Sequence, residues 1–529
     1  REAFEYFKQG LKLAIKKSSE KAPPFLIEIG HLWMIWGNLD NAQKSFQQIL
    51  EMEGTSLHHR IQAKREWADL LKQMGDAKRA VSLYQECIQE GGEGEKIEIG
   101  LVHYSLAEIF LEQGKTGEAQ TSLKTALELL YSKKFRREQA KILNGLAVLN
   151  YRQGKLEEAA TYHIQSLKIR EELKDKDMMA VSYLNLGVLY FEMGKIQEAI
   201  ESWKASLKIR LQQENLLGIA NIYECLSHGF LLQGDYAKAL EYCLKSLEIT
   251  EKRGLMRSVA QTYATISIIY SYQCLWKEAH EYMEKSLDIF TKMGLTRAVA
   301  QSHHYLGNIY FHLGDFPSAQ KHYDLAWNIA KDSGNPDGYG QSSLHLAAFY
   351  RQQKEFEKAD YYFQESQEIY KKVSNPYSAA YFWLEAALHY LDYGKYEKSR
   401  EFLDKVQNAL TKIQSKWYFA KYHYVCGLYY RKKEDYKSSI KNFEKAVFFA
   451  GQISAKEYHW KALARLGELA IEQKNYKKAQ KYLVQAMEKI KEIWGSLSDD
   501  LKSLYLTHPE RLKVRELLQK AVSLEKQEG

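Results

Sequence analysis

The pattern of apolar and polar positions in residues 180–211 predicts two helices joined at a glycine. Up to Met193, apolar residues recur every three or four positions, and strong helix formers dominate with no proline between them. Gly194 can adopt the left-handed backbone conformation that ends a helix at low cost. A second run with the same period follows from Ile196 to Ile209. We therefore expect two amphipathic helices that pack against each other across a turn at Gly194.

The same pattern recurs along most of the chain, and from Gly114 onward its step is 40 residues. A single unit cannot bury its apolar stripe alone, so neighbouring units must stack. Five residues after each predicted turn lies a small residue, alanine or serine, that lets two helices approach closely. The predicted turns are at Gly37, Gly75, Gly114, Gly154, Gly194, Gly234, Cys274, Gly314, Lys354, Gly394, Glu434 and Lys474.

The residues around each turn identify the unit more closely. In the central unit they are Leu186, Gly187 and Tyr190 before the turn, and Ala199, Trp203 and Ser206 after it. This unit resembles the tetratricopeptide repeat (TPR), in the 40-residue form of Pins-type polarity adaptors and kinesin light chains. The resemblance implies an all-α fold. We expect an α-solenoid, wound as a right-handed superhelix of about twelve helix-turn-helix repeats with a C-terminal capping helix.

Three segments follow from the repeat pattern. Residues 1–22 match the second helix of a repeat, residues 23–491 hold the twelve repeats, and residues 492–529 form a cap or tail. The start within a repeat indicates a fragment, with further repeats or an effector domain upstream. Residues 498–518 also resemble the tail that ends TPR regions of bacterial multidomain signalling proteins of STAND ATPase, kinase or cyclase type.

The resemblance places the first helix of each repeat on the concave face of the superhelix. There, an apolar strip with a polar rim is typical of a groove for a peptide or an amphipathic helix. The alternative is that the long helices of a tight superhelix simply touch each other at these positions. The predicted groove residues are Lys141, Asn144, Val148, Tyr151, Val181, Leu184, Val188, Phe191, Asn221, His228, Gln261, Ile268, Gln301, His304 and Asn308.

Charge adds a second candidate surface. The whole chain has a formal net charge of +8, and residues 391–490 hold 21 Lys or Arg against 11 Asp or Glu. Lys421, Tyr424, Arg431 and Lys461 fall on inward positions of this region. A basic patch with tyrosines could hold an acidic protein, a phosphopeptide or single-stranded nucleic acid. The alternative is an ordinary solvated surface.

The sequence offers no arrangement of residues that carries catalysis or binds a cofactor or metal. Adjacent histidines such as His303 and His304 diverge by about 100° on a helix and cannot comfortably share a metal ion. The glycine-rich residues 90–96 lack the Lys-Ser/Thr ending of a phosphate loop. Five scattered cysteines indicate reduced core residues in a cytoplasmic protein, and no apolar run is long enough for a membrane helix.

The sequence therefore predicts a non-catalytic scaffold that binds a protein or peptide in its groove. We expect it to be the ligand-sensing, regulatory TPR region of a larger signalling protein, with its own missing N-terminal domain as one candidate partner. A passive adaptor in a multiprotein assembly is an alternative. Nucleic-acid binding through the basic C-terminal repeats is another, less favoured one, and no membrane partner is expected.

Overall fold

A computed structural model describes residues 2–373, 375–413 and 415–528 of the chain; Arg1 and Gly529, at the outer ends of the first and last predicted segments, lie outside them. These residues form α-helices and three short 3₁₀ segments, with no strand among them. The chain divides into two compact units, Arg1–Leu189 and Tyr190–Gly529.

The helices follow one another with short connections. Their bounds are α1 Glu2–Lys17, α2 Pro23–Ile35, α3 Leu39–Glu51, α4 Leu57–Gln73, α5 Ala77–Gly91, α6 Lys96–Glu112, α7 Thr116–Leu129, α8 Arg136–Arg152, α9 Leu156–Glu172, α10 Lys176–Glu192, α11 Ile196–Gln212, α12 Leu216–Gln233, α13 Tyr236–Lys252, α14 Met256–Tyr272, α15 Trp276–Lys292, α16 Thr296–Leu313, α17 Phe316–Asp332, α18 Pro336–Gln352, α19 Phe356–Tyr370, α20 Pro376–Asp392, α21 Tyr396–Leu410, α22 Lys416–Lys432, α23 Tyr436–Gln452, α24 Lys456–Glu472, α25 Tyr476–Gly495, α26 Asp499–Leu506 and α27 Pro509–Glu528.

Within each unit, helices pack in pairs, and successive pairs pack on one another. Within each unit the tightest packing joins a first helix to the second helix after it, as in α6 with α7 and α22 with α23. First helices also contact the first helix of the neighbouring pair, as in α4 with α6 and α18 with α20. The expected all-α solenoid fold is thereby confirmed.

The backbone changes direction where the sequence predicts a turn. All twelve predicted turn residues have positive φ, including the four that are not glycine: Cys274, Lys354, Glu434 and Lys474. At Gly194 the next residue, Lys195, donates its N–H to the carbonyl of Tyr190 at 2.8 Å. This bond satisfies one of the carbonyls that a helix end leaves open.

Small residues on the first helices make room for large ones on the second. A Cβ atom added to Gly427 in α22 would lie 2.6 Å from the ring of Phe443 in α23, which is fully buried. Ser439, five residues after the turn at Glu434, donates its hydroxyl to the carbonyl of Gly427 at 2.8 Å. The small-residue positions therefore set the distance between paired helices.

The last two helices cover the apolar end of the repeats. The sequence predicts a break at residues 507–510, and the structure ends α26 at Leu506 and restarts the chain as α27 at Pro509. Proline suits the first turn of a helix because its missing N–H has no partner there. Leu497, Tyr505 and Val514 are buried in the same apolar cluster as the last repeat.

In the second unit, early turns pack against segments that come much later in the chain. Asn375 donates its side-chain N–H to Glu192 at 2.7 Å across 183 residues. Gly234 faces Ile453, whose Cγ2 lies 2.5 Å from the position of an added Cβ atom. A Cβ atom added to Gly314 would lie 3.1 Å from the carbonyl oxygen of Leu504 in α26. The helix pairs of this unit therefore wind until later ones rest on earlier ones.

Candidate functional site

The predicted groove positions of α8 and α10 in the first unit leave apolar side chains accessible. Tyr151 is 41% exposed and Val188 is 38% exposed. Val148, Val181 and Leu184 are half-buried. These five side chains are the apolar part of the groove that the sequence predicts within the first unit, and here they keep contact with solvent.

Polar side chains accompany this strip. Lys141 is exposed and Asn144 is half-buried. The Oδ1 atom of Asn144 is buried and has no hydrogen-bond partner within residues 2–373, 375–413 and 415–528. A buried acceptor without a partner is costly, because it has lost its bonds to water.

The predicted groove positions of the second unit are more varied. Asn221, Gln261 and Gln301 are exposed, whereas His228, Ile268 and Asn308 are half-buried. Phe191 lies 6.5 Å from the ring of Tyr377 in α20, centroid to centroid, in a stacked arrangement. At Phe191 distant parts of the second unit therefore lie close together, the arrangement expected from the sequence as the alternative to a groove.

His304, predicted as a groove residue, is buried and does not face open solvent. It is 2% exposed, and its ring lies 4.2 Å from that of His345. Burial lowers the pKa of His304 to about 4, so the ring is neutral at pH 7. Its Nδ1 atom has no hydrogen-bond partner in the described part of the chain. This corrects the expectation of an accessible histidine, because α18 packs over it.

The residues predicted as a basic patch also lie in the interior. Lys421 is 3% exposed, and its ammonium group lies 2.7 Å from the Glu385 carboxylate and 3.9 Å from the ring centroid of Tyr381. Arg351 binds the other oxygen of Glu385 at 2.9 Å. Burial alone would raise the pKa of Glu385, but Lys421 and Arg351 lower it to about 2.

The other predicted basic residues are paired as well. Lys461 lies 3.1 Å from Glu457 and 3.0 Å from Glu510. Arg431 binds Glu468 at 2.7 Å, and Tyr424 is 7% exposed. The expectation of an open basic surface is thus corrected: charged side chains of neighbouring first helices pair with each other here.

These charged side chains surround a cavity of about 640 Å³. A neighbouring cavity of about 340 Å³ has mostly aromatic walls, among them Tyr272, Tyr377 and Trp417. Tyr381, Lys421 and Lys461 line both, so the two cavities adjoin. Groups of three or more His, Cys, Asp or Glu placed to hold a metal ion do not occur in the residues that the structure describes.

Sequence reasoning missed the acidic partners Glu385, Glu468 and Glu510. A signal for two of them exists, because ion pairs join consecutive first helices at a near-constant separation. Lys421 and Glu385 are 36 residues apart, and Arg431 and Glu468 are 37 apart. Opposite charges at this spacing on inner positions would have predicted both pairs.

Comparison with known proteins gives consistent matches to one family. Profiles described as "Tetratricopeptide repeat" match residues 138–212, 218–292, 298–372, 104–171 and 461–488. Together they span more than half of the chain. No curated protein sequence matches. Among the described residues, no helix is both long and apolar enough to cross a membrane.

Several solved structures have a similar fold. The Cut9–Hcn1 hetero-tetramer of the APC/C aligns at 14% identity and a TM-score of 0.55, over 96% of this chain and 97% of the other. A STAND protein with a TPR sensor from Pyrococcus horikoshii, PH0952, aligns at 16% identity and a TM-score of 0.50. That alignment covers 65% of this chain and 55% of that protein. A Rap protein complexed with competence and sporulation factor aligns at 15% identity and a TM-score of 0.49. That alignment covers 67% of this chain and 99% of the other.

Proposed function

Because the chain belongs to the tetratricopeptide repeat family, we propose that it is the ligand-sensing region of a larger signalling protein and binds a protein or peptide on its inner wall. The fold of this family is generally a binding scaffold without catalytic activity, and its usual partners are proteins or peptides. The finer proposal concerns where the partner binds and what its binding does.

The observation that carries the proposal is the accessible apolar strip on α8 and α10. Tyr151 and Val188 are exposed, and Leu184 is half-buried. All three are predicted groove residues. Contact with an apolar side chain of a partner would remove this surface from water, at about 25 cal/mol for each Å². Binding of a partner at the strip would therefore gain from the hydrophobic effect.

Two polar residues of the first unit support a peptide as the partner. Asn144 is half-buried among the predicted groove positions, and its side-chain amide could form hydrogen bonds with a peptide backbone. Lys141 is exposed at the rim and could bind a carboxylate or a backbone carbonyl. An apolar strip with an amide acceptor suits an extended peptide, whose side chains and backbone need different partners.

The sensing role follows from the self-contacts of the second unit. Contacts such as Asn375 with Glu192 hold one winding of the helix pairs. A ligand that binds one winding better than another shifts the population toward it. The archaeal STAND protein with a similar fold is described as having a TPR sensor, and we extend that role to this chain as part of the proposal.

The test uses the variant Leu184→Glu/Val188→Glu in the full chain. The matched control is Ile164→Glu/Leu173→Glu in the same unit. Ile164 is 48% exposed and Leu173 is 42% exposed, and neither is a predicted groove residue. Circular dichroism first checks that both variants keep the helix content of the parent. The proposal expects a protein or peptide that the parent and the control capture and that the inner-wall variant loses. Equal capture by all three would refute binding at this strip.

Sensing and passive adaptation are separated by small-angle scattering with the identified partner. A sensor changes its own radius of gyration when the partner saturates it, whereas a passive adaptor keeps it. A segmentally labelled or contrast-matched partner isolates the contribution of this chain. An unchanged radius would favour the adaptor in a multiprotein assembly.

A further inference from the structure

The charged cavity of the second unit has more positive than negative groups on its wall. Seven Lys or Arg side chains and four Asp or Glu side chains line it, and Glu457 and Glu472 bind two of these cations from outside the lining, which leaves one more cation than carboxylate. Glu468 alone is shared by three cations: Arg431 at 2.7 Å, Arg465 at 3.0 Å and Lys513 at 2.7 Å. Each shared carboxylate leaves N–H donors of its cations without a full set of acceptors.

The cavity has an open mouth and a buried floor. Gln352, Asp392, Lys432 and Lys513 are exposed at the rim, whereas Lys421 is 3% exposed below them. Lys432 has no ion pair in the described part of the chain. Positive charge in a recess surrounded by protein attracts anions more strongly than the same charge on an open surface, because less water screens it.

The adjoining aromatic cavity holds two buried polar atoms that lack partners. Tyr377 is 5% exposed and His304 is 2% exposed. Neither the Tyr377 hydroxyl nor the His304 Nδ1 atom has a hydrogen-bond partner within residues 2–373, 375–413 and 415–528. Trp417 and Tyr418 lie beside them. Aromatic walls with a few unsatisfied polar atoms are typical of a site for a ring-bearing ligand.

From these two adjoining cavities we propose that the second unit binds a small molecule in which an aromatic ring carries several phosphate or carboxylate groups. The anionic groups occupy the charged cavity beside Lys432 and Lys513, and the ring lies between Tyr377 and Trp417. The cavities measure about 640 and 340 Å³, the size range of small-molecule sites. This site is independent of the strip on α8 and α10 and does not rest on the function proposed for it.

The test is isothermal titration calorimetry of the full chain with ATP, tripolyphosphate and adenosine as probes. ATP carries both features, tripolyphosphate the charge alone and adenosine the ring alone. We expect saturable ATP binding, with tripolyphosphate and adenosine each at least tenfold weaker. Absence of saturable binding of both ATP and tripolyphosphate at 1 mM would overturn the proposal.

Variants place the binding site. Lys432→Glu/Lys513→Glu reverses the charge at the mouth, and Lys441→Glu/Lys520→Glu makes the same change on exposed residues outside the cavity. ATP should bind at least tenfold more weakly to the first variant and within twofold of the parent to the second. Equal weakening in both would overturn the proposal, because it would indicate a general effect of net charge.

A conservative change tests the aromatic end. Tyr377→Phe removes the unpartnered hydroxyl and keeps the ring, so it should weaken ATP binding severalfold and leave tripolyphosphate binding unchanged. Equal effects on both probes would contradict a ring site beside Tyr377. A single-stranded oligonucleotide that binds through Lys432 and Lys513 while ATP does not would also overturn the proposal, in favour of a macromolecule.

Discussion

Arg511 in the final helix donates a hydrogen bond to the carbonyl of His312 at 2.6 Å, although 199 residues separate them. The same guanidinium binds the carbonyl of Tyr505 at 2.7 Å and lies 3.4 Å from the centroid of the Tyr505 ring. Arg511 is 3% exposed. One buried side chain therefore joins the last two helices to the end of α16.

The first prediction concerns this side chain. Arg511→Ala should lower the free energy of unfolding of the second unit by about 2–4 kcal/mol, because two buried carbonyls lose their donor. Urea unfolding followed by circular dichroism measures the change. Arg515→Ala is the control, since Arg515 is exposed on the same helix. Equal losses in the two variants would contradict the role of Arg511.

The second prediction compares two turn glycines. Gly234 and Gly394 both have positive φ, at 82° and 70°. A Cβ atom at Gly234 would lie 2.5 Å from Ile453, whereas one at Gly394 has nothing within 4 Å. Gly234→Ala should therefore destabilise the chain by about 1–3 kcal/mol more than Gly394→Ala. Ile453→Ala in the Gly234→Ala background should recover part of that difference. Indistinguishable unfolding midpoints for the two single variants would contradict the contact.

The third prediction concerns acid. The pKa of Glu385 is lowered to about 2 by Lys421 and Arg351, so its charged form stabilises the fold. That contribution is complete above the ordinary carboxyl pKa of about 4.5 and is lost as the pH falls toward 2. Glu385→Gln should cost about 3 kcal/mol at pH 7, and its difference from the parent should shrink between pH 5 and 2.

Free energies of unfolding measured at several pH values check the direction of this pH dependence. Glu488→Gln serves as the control, because Glu488 is an exposed glutamate of α25. Its difference from the parent should stay small at every pH. A Glu385→Gln penalty that does not change with pH would show that the loss comes from packing alone.

The fourth prediction concerns a turn without glycine. Lys354 has a φ of 62°, a conformation that costs an L-residue more than glycine. Lys354→Gly should raise the free energy of unfolding by about 0.5–1 kcal/mol. Lys441→Gly, on an exposed position within α23, should lower it by about 1 kcal/mol. Thermal unfolding of both variants measures these opposite changes in stability. A Lys354→Gly variant that is less stable than the parent would refute the prediction.

Much of the local structure follows from the repeat alone. The turn residues could be located because each repeat places a helix end at the same point, and all twelve have positive φ. The position of Lys421 could not be inferred in this way. Lysine on an inner position looks solvated, and its burial depends on Glu385 and Tyr381 reaching it from a neighbouring first helix.

The approach of Phe191 to Tyr377 is a second feature that could not be predicted from the sequence. A periodic pattern specifies how each helix pair packs on the next, since that contact is repeated. It does not specify how tightly the pairs wind, because a small change in rotation at each step accumulates over several repeats. Whether a predicted groove residue faces solvent or another part of the chain depends on the accumulated rotation.

The contact of Asn375 with Glu192 has a consequence for folding. In an ordinary solenoid each repeat contacts only its neighbours, so repeats can fray or nucleate separately. Contacts that span nearly two hundred residues raise the contact order and have to wait for distant chain segments to meet. The second unit should therefore melt as one cooperative block, and it should fold more slowly than a linear array of the same helices.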